Sequence, residues 1–245
     1  MKETLDNLSI GQIQLLQAEK GYRYSLDPIL LARFVNVRKS RQIVDLGSGC
    51  GILPILLARL SDATALIGIE LQAGLADRAA RNVGLNSLQH RVDILQGDVR
   101  NIKAIVPGNS TDLVVSNPPY RQLKSGRIAP NDERAIARHE LSGGLADFVG
   151  AASWLLKNSG NFSVIYLAER LPELLAAMMS VGLEPKRLRM VHPRKNKEAK
   201  MVLLEGRKGG QPGMRVEAPL YVYTDIAGGR NYTAEILQMY ETGSG

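Results

Sequence analysis

The sequence predicts an α/β chain built on a doubly wound, mostly parallel sheet, and three observations predict it. Short apolar runs of strand length, Gln42 to Leu46, Ala65 to Ile69 and Asp112 to Ser116 among them, alternate with segments of helical period. There is no internal repeat, and such alternation builds a parallel sheet through right-handed crossovers. Turn-forming residues also follow the apolar runs: Gly47-Ser48-Gly49-Cys50-Gly51 after one, Asn117-Pro118-Pro119-Tyr120 after another. Sheets of this class bind ligands at those carboxyl ends.

Composition narrows the class. The 245 residues suit one large domain, or one with additions, and 44% hydrophobic content is ample for a core. No apolar run reaches the length of a membrane span, and the N-terminal Met1-Lys2-Glu3-Thr4 lacks the apolar stretch of a signal peptide. Cys50 is the only cysteine, which excludes an internal disulfide, and three scattered histidines argue against a metal site. The expected location is cytoplasmic. The net charge of +7 is concentrated: nine basic residues against two acids between Lys186 and Lys208 account for all of it. A patch so focused suggests a polyanionic partner, although a solvated surface gives the same reading.

In chain order, Gln12 to Leu16 and Tyr22 to Ser25 read as short extended pieces. Asp27-Pro28 opens a helix, with Asp27 suited to the N-cap and Pro28 to the first turn. The three glycines after Leu46 allow a tight turn and a close ligand approach to the backbone. Their spacing differs from that of dinucleotide sites, since Ile52 stands where the last glycine of that motif falls. Glu70 ends the second strand, where a carboxylate can accept both hydroxyls of a ribose. Gln72 to Asn86 is helical. The third strand, Arg91 to Leu95, leads into Gly97-Asp98, and Asp98 could accept from an adenine amine. Each acid alone reads as a solvated loop residue; their order on successive strands favours a shared ligand.

The prolines of the tetrad end the strand at Ser116 abruptly. Asn117 then offers an amide oxygen, Pro118 a carbonyl with no competing ladder bond, and Tyr120 an aromatic face. These groups suit a planar ring carrying an amino group, while an ordinary Asn-Pro turn is the structural alternative. A long polar loop, Arg121 to Ser142, follows and reads as a lid or substrate guide. Leu145 to Lys157 and Leu171 to Val181 read as helices, with Asn161 to Leu167 the strand between them. Lys186 to His192 and Lys200 to Glu205 read as adjacent strands joined by a basic loop, Pro193 to Ala199. Leu220 to Tyr223 reads as a strand, and a short helix starts near Thr233.

Val44-Asp45-Leu46-Gly47-Ser48-Gly49-Cys50-Gly51 resembles the first motif of class I S-adenosylmethionine-dependent methyltransferases, and Glu70, Asp98 and Asn117-Pro118-Pro119-Tyr120 fall where that family's next motifs fall. The resemblance spans about residues 20 to 206. It implies a Rossmann-like seven-stranded sheet with an antiparallel edge strand. Residues 1–40 become an N-terminal extension and helix packing on the core, 41–206 the methyltransferase domain, and 207–245 a tail with a short strand and helix. The tetrad is similar to that of enzymes methylating amino nitrogens conjugated with a planar system: adenine, guanine or a glutamine amide. Gly21 to Ala32 and Lys200 to Gly206 look like the bacterial tRNA adenine methyltransferases that modify a valine tRNA beside its anticodon.

By that resemblance Tyr22, Asp27, Asp45, Gly47, Gly49, Gly51, Glu70, Asp98 and Asn117 lie at the S-adenosylmethionine site. Asn117, Pro118 and Tyr120 carry the chemistry on an unpaired adenine, the expected acceptor being adenine 37 of a valine tRNA. Arg194, Lys195, Lys197 and Lys200 are the expected RNA contacts, with no metal and no membrane involved. A release-factor glutamine methyltransferase, an rRNA guanine-N2 methyltransferase and a non-catalytic RNA-binding module remain as alternatives. Nothing in the sequence sets the oligomeric state.

Overall fold

The computed structural model describes residues 2–19, 25–37, 41–63, 65–120, 143–225 and 231–241. Five parallel strands form the centre: β3 (Gln42–Leu46), β4 (Ala65–Glu70), β5 (Val92–Gln96), β6 (Thr111–Ser116) and β7 (Leu156–Leu167). Beyond β7 come β9 (Met201–Lys208), antiparallel to both its neighbours, and β8 (Leu183–His192). Two short strands, β10 (Arg215–Val216) and β11 (Leu220–Tyr221), lie parallel along β8 and bring the sheet to nine. The seven expected strands are therefore present, and the C-terminal segment extends their sheet.

The crossovers are α2 (Ile52–Leu60), α3 (Ala73–Leu85) and α4 (Leu145–Leu155), while α5 (Leu171–Ser180) links β7 to β8. Alternation along β3 shows how the sheet divides its core. Ile43 packs with α1 (Asp27–Phe34), α2 and α6 (Ala234–Tyr240) on one face, Val44 and Leu46 with α4 and α5 on the other. Helix α2 is buried along seven of its nine residues because it lies between the sheet and further layers.

One of those layers is a hairpin that the sequence reading found only in part. Glu3–Leu8 (β1) pairs antiparallel with Ile13–Ala18 (β2), whose Ile13 and Leu15 enter the core. Its alternation was visible over Gln12 to Leu16; β1, half-buried and mostly polar, gave no apolar signal. Fully buried Asn82 of α3 ties this hairpin to the glycine turn. It accepts from the Leu16 amide (2.7 Å) and donates to the carbonyls of Leu16 (3.1 Å) and Cys50 (2.9 Å).

The order of strands fixes where a ligand can sit. From β3 the chain runs outward through β4 to β5, then returns to β6 on the other side of β3. Leu46 and Ser116 are register partners at the carboxyl ends of these two strands, and the Ser116 hydroxyl donates to the Leu46 carbonyl (2.8 Å). Gly47 and Asn117 thus leave the sheet side by side at its switch point, where a crevice opens in folds of this kind. Among the described residues no helix is long and apolar enough to cross a membrane.

Candidate active site

The glycine turn is held by main-chain bonds. The amides of Gly47 and Ser48 donate to the Ile69 carbonyl (2.9 and 3.0 Å). Gly47, Gly49 and Gly51 all have left-handed φ, +79°, +58° and +83°. A Cβ on Gly47 would sit 3.2 Å from the Phe148 ring, and one on Gly51 3.0 Å from Ala79 Cβ. Side chains at these two points would strain the turn and crowd what lies behind it.

Glu70, nearly buried, spans the turn. One carboxylate oxygen accepts from the Gly49 amide (2.8 Å), the other from the Gln72 amide (2.9 Å). Burial raises its pKa, and the amide bonds oppose that shift. Each oxygen keeps a further lone pair for a ligand. A cleft is lined by Gly47, Gly49, Glu70 and Gln72 from the glycine side, by Asn117 and Pro119 from the tetrad, and by Phe148 and Leu75.

Asp45 lies beneath, fully buried beside the Ser48 hydroxyl, and its two carboxylate oxygens make no well-formed hydrogen bond among the described residues. Burial pushes its pKa up to about 7; the Ser48 hydroxyl opposes that shift and the Glu70 charge adds to it. Asp98 is turned another way. Its carboxylate accepts from the Arg100 amide (2.9 Å) and forks with the Arg100 guanidinium (2.5 Å), which holds its pKa down. Gly97 and Val99 on either side of it line the cleft.

At the tetrad, the Tyr120 hydroxyl donates to the Asn117 side-chain oxygen and lies 3.1 Å from the Asp27 carboxylate. Asp27 also accepts from the Ser25 hydroxyl (2.7 Å), and burial raises its pKa. The N-cap expectation for Asp27 is corrected: Leu26 caps α1, and Asp27 occupies its first turn without a side-chain bond to the helix amides. Its oxygens are drawn to Ser25 and Tyr120 instead. Tyr22 and the loop from Arg121 to Ser142 lie outside the described residues.

Tyr166 and Arg170 complete the setting of Tyr120. The Tyr166 ring meets the Tyr120 ring edge-on at 5.9 Å. Arg170 stands 5.1 Å over the Tyr166 ring, donates to the Tyr120 carbonyl (3.0 Å) and pairs with Glu173 (2.6 Å). Phe148, Tyr166 and Arg170 were missed by the sequence reading. The available signal was position: Tyr166 and Arg170 stand at the carboxyl end of β7, level with the tetrad.

The basic segment divides by use. Arg187 stacks on Phe34 (4.0 Å) and pairs with Glu205 (3.4 Å). Arg189 pairs with Glu235 (2.7 Å), and Lys208 donates to the Ser153 and Leu156 carbonyls (2.7 and 2.8 Å). The guanidinium of Arg194, one of the expected RNA contacts, turns back to the Thr224 carbonyl (2.8 Å). Lys195, Lys197 and Lys200 are exposed. The loop carrying them leaves β8 at His192 and enters β9 at Met201, the partner of Leu167 at the end of β7. It therefore emerges from the edge of the sheet that holds Asn117.

Comparison with known proteins bears on this cleft. The family model for the methyltransferase small domain matches residues 27–178. A tRNA1(Val) (adenine(37)-N6)-methyltransferase of Aeromonas hydrophila is 31% identical over 186 residues, 75% of each chain. Its namesake in Porphyromonas gingivalis W83 is 29% identical over 208 residues, 82% of this chain and 81% of that one. Among solved structures, a protein of Agrobacterium tumefaciens described as a predicted O-methyltransferase superposes with a TM-score of 0.68 at 22% identity, covering 87% of this chain and 95% of the other. The tRNA m1G37 methyltransferase of M. jannaschii gives 0.60 at 14% identity, over 85% and 57%. At these identities the solved structures speak for the fold alone.

Proposed function

The chain belongs to the methyltransferase small domain family, and we propose that it methylates the exocyclic amine of an unpaired adenine in RNA, with S-adenosylmethionine as donor. The observation that carries the reading is the pairing, at one switch point, of the glycine–Glu70 cleft with the Asn117 and Pro118 acceptors. The residues fit the donor. The glycine turn forms a cradle that a Cβ at Gly47 would crowd, Glu70 has free lone pairs, and Asp45 is a buried carboxylate with no well-formed hydrogen bond among the described residues. Gly47, Gly49 and Gly51 would take the methionine part over Asp45, Glu70 the ribose, and the end at Gly97 and Val99, beside Asp98, the adenine.

The donor supplies a methyl group on a sulfonium, so nitrogen gains a carbon bond as sulfur becomes a neutral thioether. The protein's own task lies with the amine. Its lone pair is delocalised into the ring, and hydrogen bonds to Asn117 and the Pro118 carbonyl favour a pyramidal nitrogen with an available lone pair. Tyr120 stacks on the ring and sets the angle of approach. Orientation of this kind reaches effective molarities of about 10⁵ M or more. The nitrogen's proton turns acidic only as the new bond forms and passes to water, so no strong base is required.

The target base has to be unpaired or flipped out to present that amine. The names of the curated relatives support adenine 37 of a valine tRNA as the acceptor. Lys195, Lys197 and Lys200, on the sheet edge that carries Asn117, support an RNA-docking surface there, with Arg194 bracing the loop. Labelled S-adenosylmethionine incubated with total tRNA, rRNA and release factors tests the reading. Label in the tRNA pool as N6-methyladenosine is the expected result; label in release factors alone would overturn it.

A further inference from the structure

Asp27 opens α1. Its carboxylate faces the tetrad, where two acceptors compete for one proton. The Tyr120 hydroxyl has a single hydrogen, and both the Asn117 side-chain oxygen and Asp27 Oδ2, at 3.1 Å, are within its reach. We propose that Asp27 is a positioning residue: by taking the Tyr120 hydroxyl it leaves the Asn117 oxygen free for the target amine. The inference rests on the amine-methylation reading above and adds to it a residue that acts through the Tyr120 hydroxyl.

The geometry makes this exchange a small movement. The Tyr120 ring meets the edge of Tyr166, and its carbonyl is held by Arg170, so the ring can stay where it is. Only the hydroxyl hydrogen has to turn from one oxygen to the other. A hydrogen bond to an ionised carboxylate is about twice as strong as one to a neutral amide, which favours the turn. Ser25 donates to the same carboxylate oxygen (2.7 Å) and fixes its direction. Asp27 itself stands in the first turn of α1, where the helix terminus offsets part of the burial that raises its pKa, and is followed by Pro28, which fixes the backbone. Without Asp27, the incoming amine would have to displace the Tyr120 hydroxyl from Asn117, and the carboxylate that receives that hydroxyl would be gone.

A double-mutant cycle between Asp27→Ala and Tyr120→Phe tests the proposal, read by single-turnover methyl transfer to the labelled tRNA and by calorimetric affinity for S-adenosylmethionine. Asp27→Ala should slow transfer about tenfold while leaving the donor's affinity within twofold. In the Tyr120→Phe background, which has no hydroxyl to redirect, Asp27→Ala should cost nothing further. Asp27→Asn, which keeps an acceptor oxygen, should give an intermediate rate. If the loss is the same in both backgrounds, if affinity falls in step with rate, or if Asn and Ala are equally impaired, Asp27 does not act through the hydroxyl. Failure of the wild-type chain to label any RNA would count against the substrate reading alone. The same cycle is then read on the melting temperature of the unliganded chain, where additive losses from Asp27→Ala and Tyr120→Phe overturn the proposal and coupled losses support it.

Discussion

On one side of the cleft the holding groups are main-chain amides: Gly47 and Ser48 on the Ile69 carbonyl, Gly49 and Gln72 on the Glu70 carboxylate. On the other side the chain ends its strand in two prolines that donate nothing, and remote side chains take over. Asp27 reaches Tyr120 across 93 residues of sequence, and Arg170 reaches it across 50. The glycine side is a short segment folded upon itself, suited to a constant ligand. The tetrad side is assembled from three parts of the chain and shaped by what each contributes. The difference implies that binding of a donor and transfer to an acceptor can be damaged separately.

Asn117→Ala gives the largest expected separation. Transfer should fall by about 10²-fold or more, the usual consequence of removing a preorganised polar group that acts in the transition state. Affinity for S-adenosylmethionine should stay nearly unchanged by calorimetry, because the glycine turn and Glu70 are untouched. A parallel fall in affinity would mean that the two sides are one unit. Glu70→Ala is the converse. It removes a ligand acceptor and leaves the Gly49 and Gln72 amides without a partner, so donor binding should weaken by about 1–3 kcal/mol. The rate at saturating donor should suffer less than in Asn117→Ala.

The same difference explains what could be read from the sequence. Strand, glycine turn, acid and tetrad are local patterns, and each lies where periodicity and turn chemistry put it, Gly47 and Asn117 at adjacent strand ends included. The family model covers the stretch that carries these patterns. Contacts between remote segments leave no local trace. Nothing around Arg170 marks it as the partner of Tyr120, and Asp27 reads as a helix cap because capping is what an acid before Pro28 ordinarily does. Charge was misleading in a similar way. Most of the basic segment is spent on Phe34, Glu205, Glu235 and backbone carbonyls, pairings that composition cannot reveal.

Asp45 sharpens the account of the glycine side. Its folded pKa of about 7 lies above the ordinary 3.8, so between these values the native chain holds a proton that the unfolded chain has released. Stability from this group therefore declines as pH rises from about 4 to about 7. Asp45→Asn should remove that decline and raise the melting temperature at neutral pH by a few degrees. A melting profile that keeps the original slope in the variant would show that the carboxylate has a partner in solution.

A smaller effect is expected at the loop on the tetrad side. Replacing Lys195, Lys197 and Lys200 together by Ser removes the loop's three exposed lysines while leaving the braced Arg194 in place. Binding of tRNA should weaken several-fold, and its dependence on log salt should flatten by up to about 2 units, close to 0.7 for each single-strand phosphate that is no longer neutralised. Affinity for S-adenosylmethionine should not move. An unchanged salt slope would reduce the loop to a solvated surface.

The smallest effect lies behind the glycine side, at the hairpin that Asn82 ties to the turn. Glu3 of β1 pairs with Arg78 (2.9 Å) and Arg81 (2.7 Å) of α3. These bonds, Arg81 first, lower its pKa from 4.5 to about 2. A depressed carboxylate stabilises the native state above its unfolded pKa, and the contribution fades as pH falls from about 4.5 towards 2. Arg81 is half-exposed, so screening limits its pair to about 1 kcal/mol at most, and Glu3→Gln keeps an acceptor oxygen for the buried Arg78. Glu3→Gln should therefore lower the melting temperature slightly at pH 7 and not at all near pH 2. Because the hairpin reaches the glycine turn through Asn82 of α3, any loss of function should show in donor affinity before transfer rate. A Glu3→Gln variant whose rate falls while its donor affinity holds would show that the two sides are coupled through the hairpin after all.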